Sequence, residues 1–76
     1  MQGPEYWLTV SSSHIHQIGW HPRMGGQLWV RFLGGTVVYY SPAPRELFDG
    51  MRFATSKGKF LDARVKKAGI PFEYVA

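Results

Sequence analysis

The stretch Leu28-Trp29-Val30-Arg31-Phe32-Leu33-Gly34-Gly35-Thr36-Val37-Val38-Tyr39-Tyr40 decides the fold class. Leu28, Val30 and Phe32 alternate with Trp29 and Arg31, the period of two that sends successive side chains to opposite faces of a sheet. Gly34-Gly35 breaks the alternation, and it resumes at Thr36 in β-branched and aromatic residues. With Leu33-Gly34-Gly35 as a three-residue loop and Gly35 in the left-handed conformation of a bulge, Phe32 pairs with Thr36, Val30 with Val38 and Leu28 with Tyr40. Leu28, Val30, Phe32, Val38 and Tyr40 then face the core, while Trp29, Arg31, Val37 and Tyr39 share the other face. A two-residue turn would reverse the faces of the second strand, so the choice between Tyr39 and Tyr40 as the buried ring depends on turn type.

Upstream, Ile15, Ile18 and Trp20 mark another strand. Ile15 and Ile18 differ in parity, which predicts a bulge or a late strand start near His16-Gln17. His21-Pro22-Arg23-Met24-Gly25-Gly26 reads as the loop between the two strands. Downstream, Ser41-Pro42-Ala43-Pro44 ends the sheet, and Pro44 is tolerated at a helix start because first-turn amides have no intrahelical acceptor. Leu47, Phe48, Met51 and Ala54 follow at helical spacing and predict a helix over 44–54. Ser56 can cap a second helix in which Phe60, Ala63 or Arg64, and Lys67 fall on successive turns, with Leu61 and Val65 as an apolar edge. Gly69 and Pro71 end it, and Phe72, Tyr74 and Val75 form a short extended tail. The expected architecture is α+β, a three-stranded antiparallel sheet followed by two helices packed on one face. It forms a single domain over 1–76, with 1–7 and 70–76 as less regular ends.

A chain of 76 residues buries only about 60% of its unfolded surface, which argues against a deep catalytic cleft. With no cysteine, there is no thiolate nucleophile, thiolate metal site or disulfide, as suits a reducing compartment. No apolar run approaches the roughly 18 residues that span a membrane. The expectation is a soluble intracellular protein with no membrane partner. The net charge of +4 is uneven: through residue 50, Arg23, Arg31 and Arg45 balance Glu5, Glu46 and Asp49, whereas within residues 51 to 69 Arg52, Lys57, Lys59, Arg64, Lys66 and Lys67 face Asp62 alone. Such a cationic third suits an acidic partner, nucleic acid or protein, although a solvated helix face has the same composition.

Catalytic patterns are sparse. His14 and His16 can share a strand face, but no cysteine or carboxylate nearby completes a metal set. Ser11-Ser12-Ser13 beside His14 lacks an orienting acid, and the serines suit hydroxyl bonds at a strand start. Gly58 within Ser56-Lys57-Gly58-Lys59 either exposes backbone to an anion or relieves strain in a helix-helix turn. Trp29, Arg31 and Tyr39 have the composition of a base-stacking platform or of protein-interface anchors. That face can equally be covered by Tyr6-Trp7-Leu8 or by the C-terminal tail.

The run Ala54-Thr55-Ser56-Lys57-Gly58-Lys59-Phe60 resembles the closing signature of the KTSC family, small domains that also occur at the C-terminus of some bacterial lysyl-tRNA synthetases. Ser12-Ser13-His14-Ile15 resembles the family's Ser-Ser-x-Ile opening, Ile18-Gly19-Trp20 its Ile-Gly-aromatic step, and Leu28-x-Val30-x-Phe32-x-x-Gly35 its first alternating strand and turn. The family's Tyr-x-Tyr becomes Val38-Tyr39-Tyr40 here, so only Tyr40 carries over. The resemblance spans roughly residues 10 to 67 and implies no catalytic residue and no cofactor. It implies RNA binding as one function. The complete chain is also similar to phage-encoded transcription regulators of this type. That similarity implies a non-enzymatic monomer in the cytoplasm of the bacterial host, which binds host RNA polymerase, inhibits sigma-dependent initiation and promotes antitermination with an elongation factor, with nascent RNA as a possible further contact. The expected partner-binding residues are Trp29, Arg31, Tyr39, Arg52, Lys57, Lys59, Arg64, Lys66 and Lys67.

Overall fold

The computed structural model describes residues 3–4 and 7–75. Its sheet has five antiparallel strands rather than three: β1 (Leu8–Thr9), β2 (Ile15–His21), β3 (Gln27–Phe32), β4 (Val37–Tyr40) and β5 (Phe72–Tyr74) lie side by side in chain order. Helix α1 (Arg45–Phe53) and helix α2 (Lys57–Phe60), which runs on as a π-helical segment over Leu61–Lys66, occupy the chain between β4 and β5. The sequence reading omitted β1 and β5 as strands because both are very short. β1 is held by pairing Leu8 with Ile18 and Thr9 with Gln17. β5 is held by pairing Val38 with Tyr74, Tyr39 with Glu73 and Tyr40 with Phe72.

The central hairpin has the expected register, with Leu28 opposite Tyr40 and Val30 opposite Val38. Phe32 N–H donates to Thr36 O at 2.8 Å, and Gly35, at φ 99°, closes the three-residue loop. A left-handed backbone is favourable there only because glycine has no Cβ. The β2–β3 register slips between Ile15 and Gln17, as the parity of the two isoleucines requires. This slip lets Ile15 and Ile18 both reach the core.

One sheet face carries that core: Ile15, Ile18, Leu28, Val30, Val38 and Tyr40 pack against Phe48 and Met51 of α1 and against Leu61 and Val65 of the π segment. Burying each such side chain contributes about 1.5–3 kcal/mol before conformational entropy opposes it. The second helix differs from the expected α-helical winding. Lys67 N–H bonds to Asp62 O and Ile70 N–H to Val65 O, both spanning five residues. The buried stripe is Leu61 and Val65, with Phe60 only half-buried, so residues expected at the edge form the core contact. Ser56 does cap this helix, its Oγ accepting from Lys59 N–H at 3.3 Å.

A second structural junction ties β2, β3 and the chain entering α1. Gly26 is buried against Ala43, with Ala43 N–H donating to Gly26 O at 2.9 Å. Trp20 Nε1–H donates to Ala43 O at 2.8 Å. The loop before Gly26 contains a 3-10 turn over Arg23–Gly25, in which Met24 adopts φ 58°.

Candidate partner-binding site

The face of the sheet away from the helices gathers Trp29, Arg31 and Tyr39, as the alternation predicts, but it does not leave them open. Trp29 is 1% exposed. Tyr39 stacks on it with ring centroids 4.8 Å apart, and Trp7 meets it edge-on at 6.3 Å. The Arg31 guanidinium lies 4.3 Å above the Trp7 ring and donates to Gln17 Oε1. Trp29 Nε1–H donates to Gln27 Oε1 at 3.1 Å, which gives the buried Gln27 amide a partner. This is a second small core closed by the N-terminal segment. Tyr6, named with Trp7 as a possible cover, lies outside the described residues.

Tyr39 Oη–H donates to Glu73 Oε1 at 2.6 Å across the β4–β5 pair. That bond, then partial burial, holds the Tyr39 phenol above its ordinary pKa of 10.0. Burial likewise raises Tyr40. Because the folded-state pKa is raised, the contribution of the neutral phenol to stability is present below pH 10 and is lost as pH rises through the folded value. Alkaline titration followed by ultraviolet absorbance should show two phenols ionising above 10, and Glu73→Ala should return one of them toward the ordinary range. An unchanged titration in that variant would disconnect Tyr39 from Glu73.

The six cations of the C-terminal third separate into two sets. Lys57, Lys59 and Lys66 line a groove of about 820 Å³ whose other wall is formed by Ser11–Ile15 and by Phe32–Gly34 at the end of the central hairpin. Arg52, Arg64 and Lys67 lie outside that groove. Arg52 is 3.7 Å from Asp49 and lies 4.8 Å over Phe53, whereas Arg64 lies 5.5 Å over Phe60. Sequence reasoning placed Ser12 and Ser13 in a strand-start role, and Ser12 Oγ does accept from His14 N–H and Ile15 N–H, each at 3.2 Å. What it missed is that these serines face the lysines. No local signal could show this, because more than forty residues separate the two walls.

Among the described residues, no group of three histidine, cysteine, aspartate or glutamate side chains is placed to hold a metal ion. Among the described residues, Leu33 is strongly exposed at the groove's edge, while other strongly exposed apolar side chains lie away from it: Phe53 is 77% exposed on the last turn of α1, and Phe72 and Tyr74 are 54% and 70% exposed on the edge strand, their rings meeting at 5.6 Å.

A five-stranded antiparallel meander with two helices on one face, and a groove joining a serine-rich strand entry to a lysine-rich helix entry, defines a small α+β domain. The KTSC domain model matches residues 11–68, and the chain belongs to the KTSC domain family. The chain is similar to a KTSC domain protein from Yersinia pestis, whose crystal structure superposes with a TM-score of 0.80 at 29% identity, covering 93% of this chain and 97% of that one. No functionally curated protein matches the chain.

Proposed function

We propose that this KTSC domain acts without catalysis, as a regulator that occupies the surface of the host bacterial RNA polymerase, inhibits sigma-dependent initiation and promotes antitermination with an elongation factor. The reading takes up the resemblance to phage-encoded regulators that the sequence alone suggested, and one observation supports a protein partner. Among the described residues, the aromatic rings most open to solvent are Phe53, beneath the Arg52 guanidinium, and the Phe72–Tyr74 pair, whereas Trp29 is sealed. Arginine and exposed aromatics are the residue types that anchor protein interfaces. A base-stacking platform on the sheet face would need the Trp29 ring, which is covered.

The test uses purified polymerase after nuclease treatment. Binding should survive the nuclease, and the log-log dependence of affinity on salt should have a slope shallower than about −2. Five phosphate contacts on single-stranded RNA would give about −3.5. Phe53→Ala with Tyr74→Ala should lose polymerase binding without unfolding, since exposed substitutions change stability by less than about 0.5 kcal/mol. The second reading, a stand-alone RNA-binding module, is favoured by the three groove lysines. Tight binding to free RNA with the steep slope, and no effect on sigma-dependent initiation by purified polymerase, would replace the first reading with the second.

A further inference from the structure

We propose that the groove between Ser12 and Lys59 is a phosphate-binding site, with Ser12, Lys57 and Lys59 as hydrogen-bond donors to a phosphate group. The inference is independent of the polymerase reading. It begins with an inventory of hydrogen-bonding capacity. A serine hydroxyl has two lone pairs and one O–H. The Ser12 lone pairs are both taken by His14 N–H and Ile15 N–H, so the hydroxyl has only its proton left to offer. Lys57 uses one ammonium hydrogen on Ala54 O and keeps two. Lys59 Nζ has no partner among the described residues, and its side chain is exposed. The one carboxylate in the groove, Asp62, lies 3.6 Å from Lys66 Nζ. These unused valences are donors, and two of the three groups are lysine ammoniums. An anion with several acceptor oxygens complements them, and a phosphate group has that chemistry.

Gly58 supplies an independent observation. It lines the same groove, its φ lies outside the left-handed region, and a Cβ built on it would meet nothing within 4 Å. Neither strain nor packing therefore calls for glycine there, and glycine weakens a helix relative to alanine. A residue that local stability disfavours, placed between two groove lysines, has the character of a position kept bare for a ligand.

The phosphate can be free or part of a nucleic-acid backbone, and two titrations at about 150 mM salt, where exposed charges are largely screened beyond about 8 Å, separate these sources. Amide NMR shifts of the full chain would be followed with inorganic phosphate and with a short single-stranded RNA. Saturable shifts confined to residues 11–15 and 55–59 are expected with at least one probe. Preference for RNA assigns a backbone phosphate, and preference for inorganic phosphate assigns a small phosphate compound. Lys59→Gln should weaken binding by about tenfold, the value of one charged hydrogen bond. Gly58→Ala should raise the melting temperature and weaken binding, a pair of changes that a purely structural glycine would not give. Ser12→Ala also removes a backbone acceptor, so Lys59→Gln carries the test if that variant fails to fold. No saturable shift with either probe, shifts spread equally to Arg52, Arg64 and Lys67, or full affinity in both Lys59→Gln and Gly58→Ala would overturn the proposal.

Discussion

Replacing Gly26 by alanine should leave the domain unfolded at room temperature. The added Cβ would sit 2.0 Å from Ala43 O and 2.9 Å from Ala43 C, and the residue holds φ 104°, where a side chain is strained in any surroundings. The backbone it strikes has little freedom to retreat. Ala43 is fully buried, its N–H is bonded to Gly26 O and its carbonyl accepts from the Trp20 indole. Relieving the clash therefore breaks at least one of these bonds in the interior, where an unsatisfied group costs about 1–3 kcal/mol in addition to the strain. A domain of this size has a total stability near the low end of the 5–15 kcal/mol range, so the losses are comparable with the whole. Circular dichroism on heating and in urea is the measurement. A cooperative melt within a few degrees of the parent would show that the junction yields.

The second large effect is expected at Trp29. Truncation to alanine empties the site between Trp7 and Tyr39, and large aromatic truncations in a core cost about 3–5 kcal/mol. It also leaves Gln27 Oε1, in a residue 2% exposed, without its indole donor. Tyr39→Ala should cost less, because Tyr39 is only half-buried and its hydroxyl bond to Glu73 lies near solvent. Trp29→Phe should recover part of the loss by refilling the volume while still leaving Gln27 short of a donor. Denaturant unfolding would rank the three. If Trp29→Ala kept its stability and lost a binding partner instead, the ring would belong to a contact surface rather than to packing.

The same face shows where sequence reasoning reached its limit. Alternation placed Trp29, Arg31 and Tyr39 together, because the side-chain period of a strand is geometric. Whether the face was wet depended on Trp7, whose position follows from the pairing of Leu8 with Ile18. A two-residue strand has no period to detect, and its stability comes from the ladder it joins rather than from its own propensity. The same holds for Phe72–Tyr74. By contrast, the strands of the central hairpin were legible from their alternation, while its register stood between two turn types until Gly35 at φ 99° and the pairing of Leu28 with Tyr40 chose the three-residue loop. The second helix was legible in place and cap but not in winding: a five-residue hydrogen-bond span shifts the buried stripe to Leu61 and Val65, and no residue there announces it. The groove was half legible. Its lysines stood out as charge, while its serines were assigned only their local bonds, since nothing short of the fold sets Ser12 opposite Lys59.

The order of the sheet has a consequence for how the chain reaches this form. From β1 to β4 every strand pairs with the one just before it, so three successive closures each involve only a short loop. The fifth pairing is different: Tyr40 meets Phe72 only after the chain has built both helices. Closing a longer loop costs more entropy, and contacts distant in sequence slow assembly. The topology thus concentrates its non-local sheet pairing in one last strand, and the β4 edge remains an unpaired template until the helices have brought β5 back to cover it.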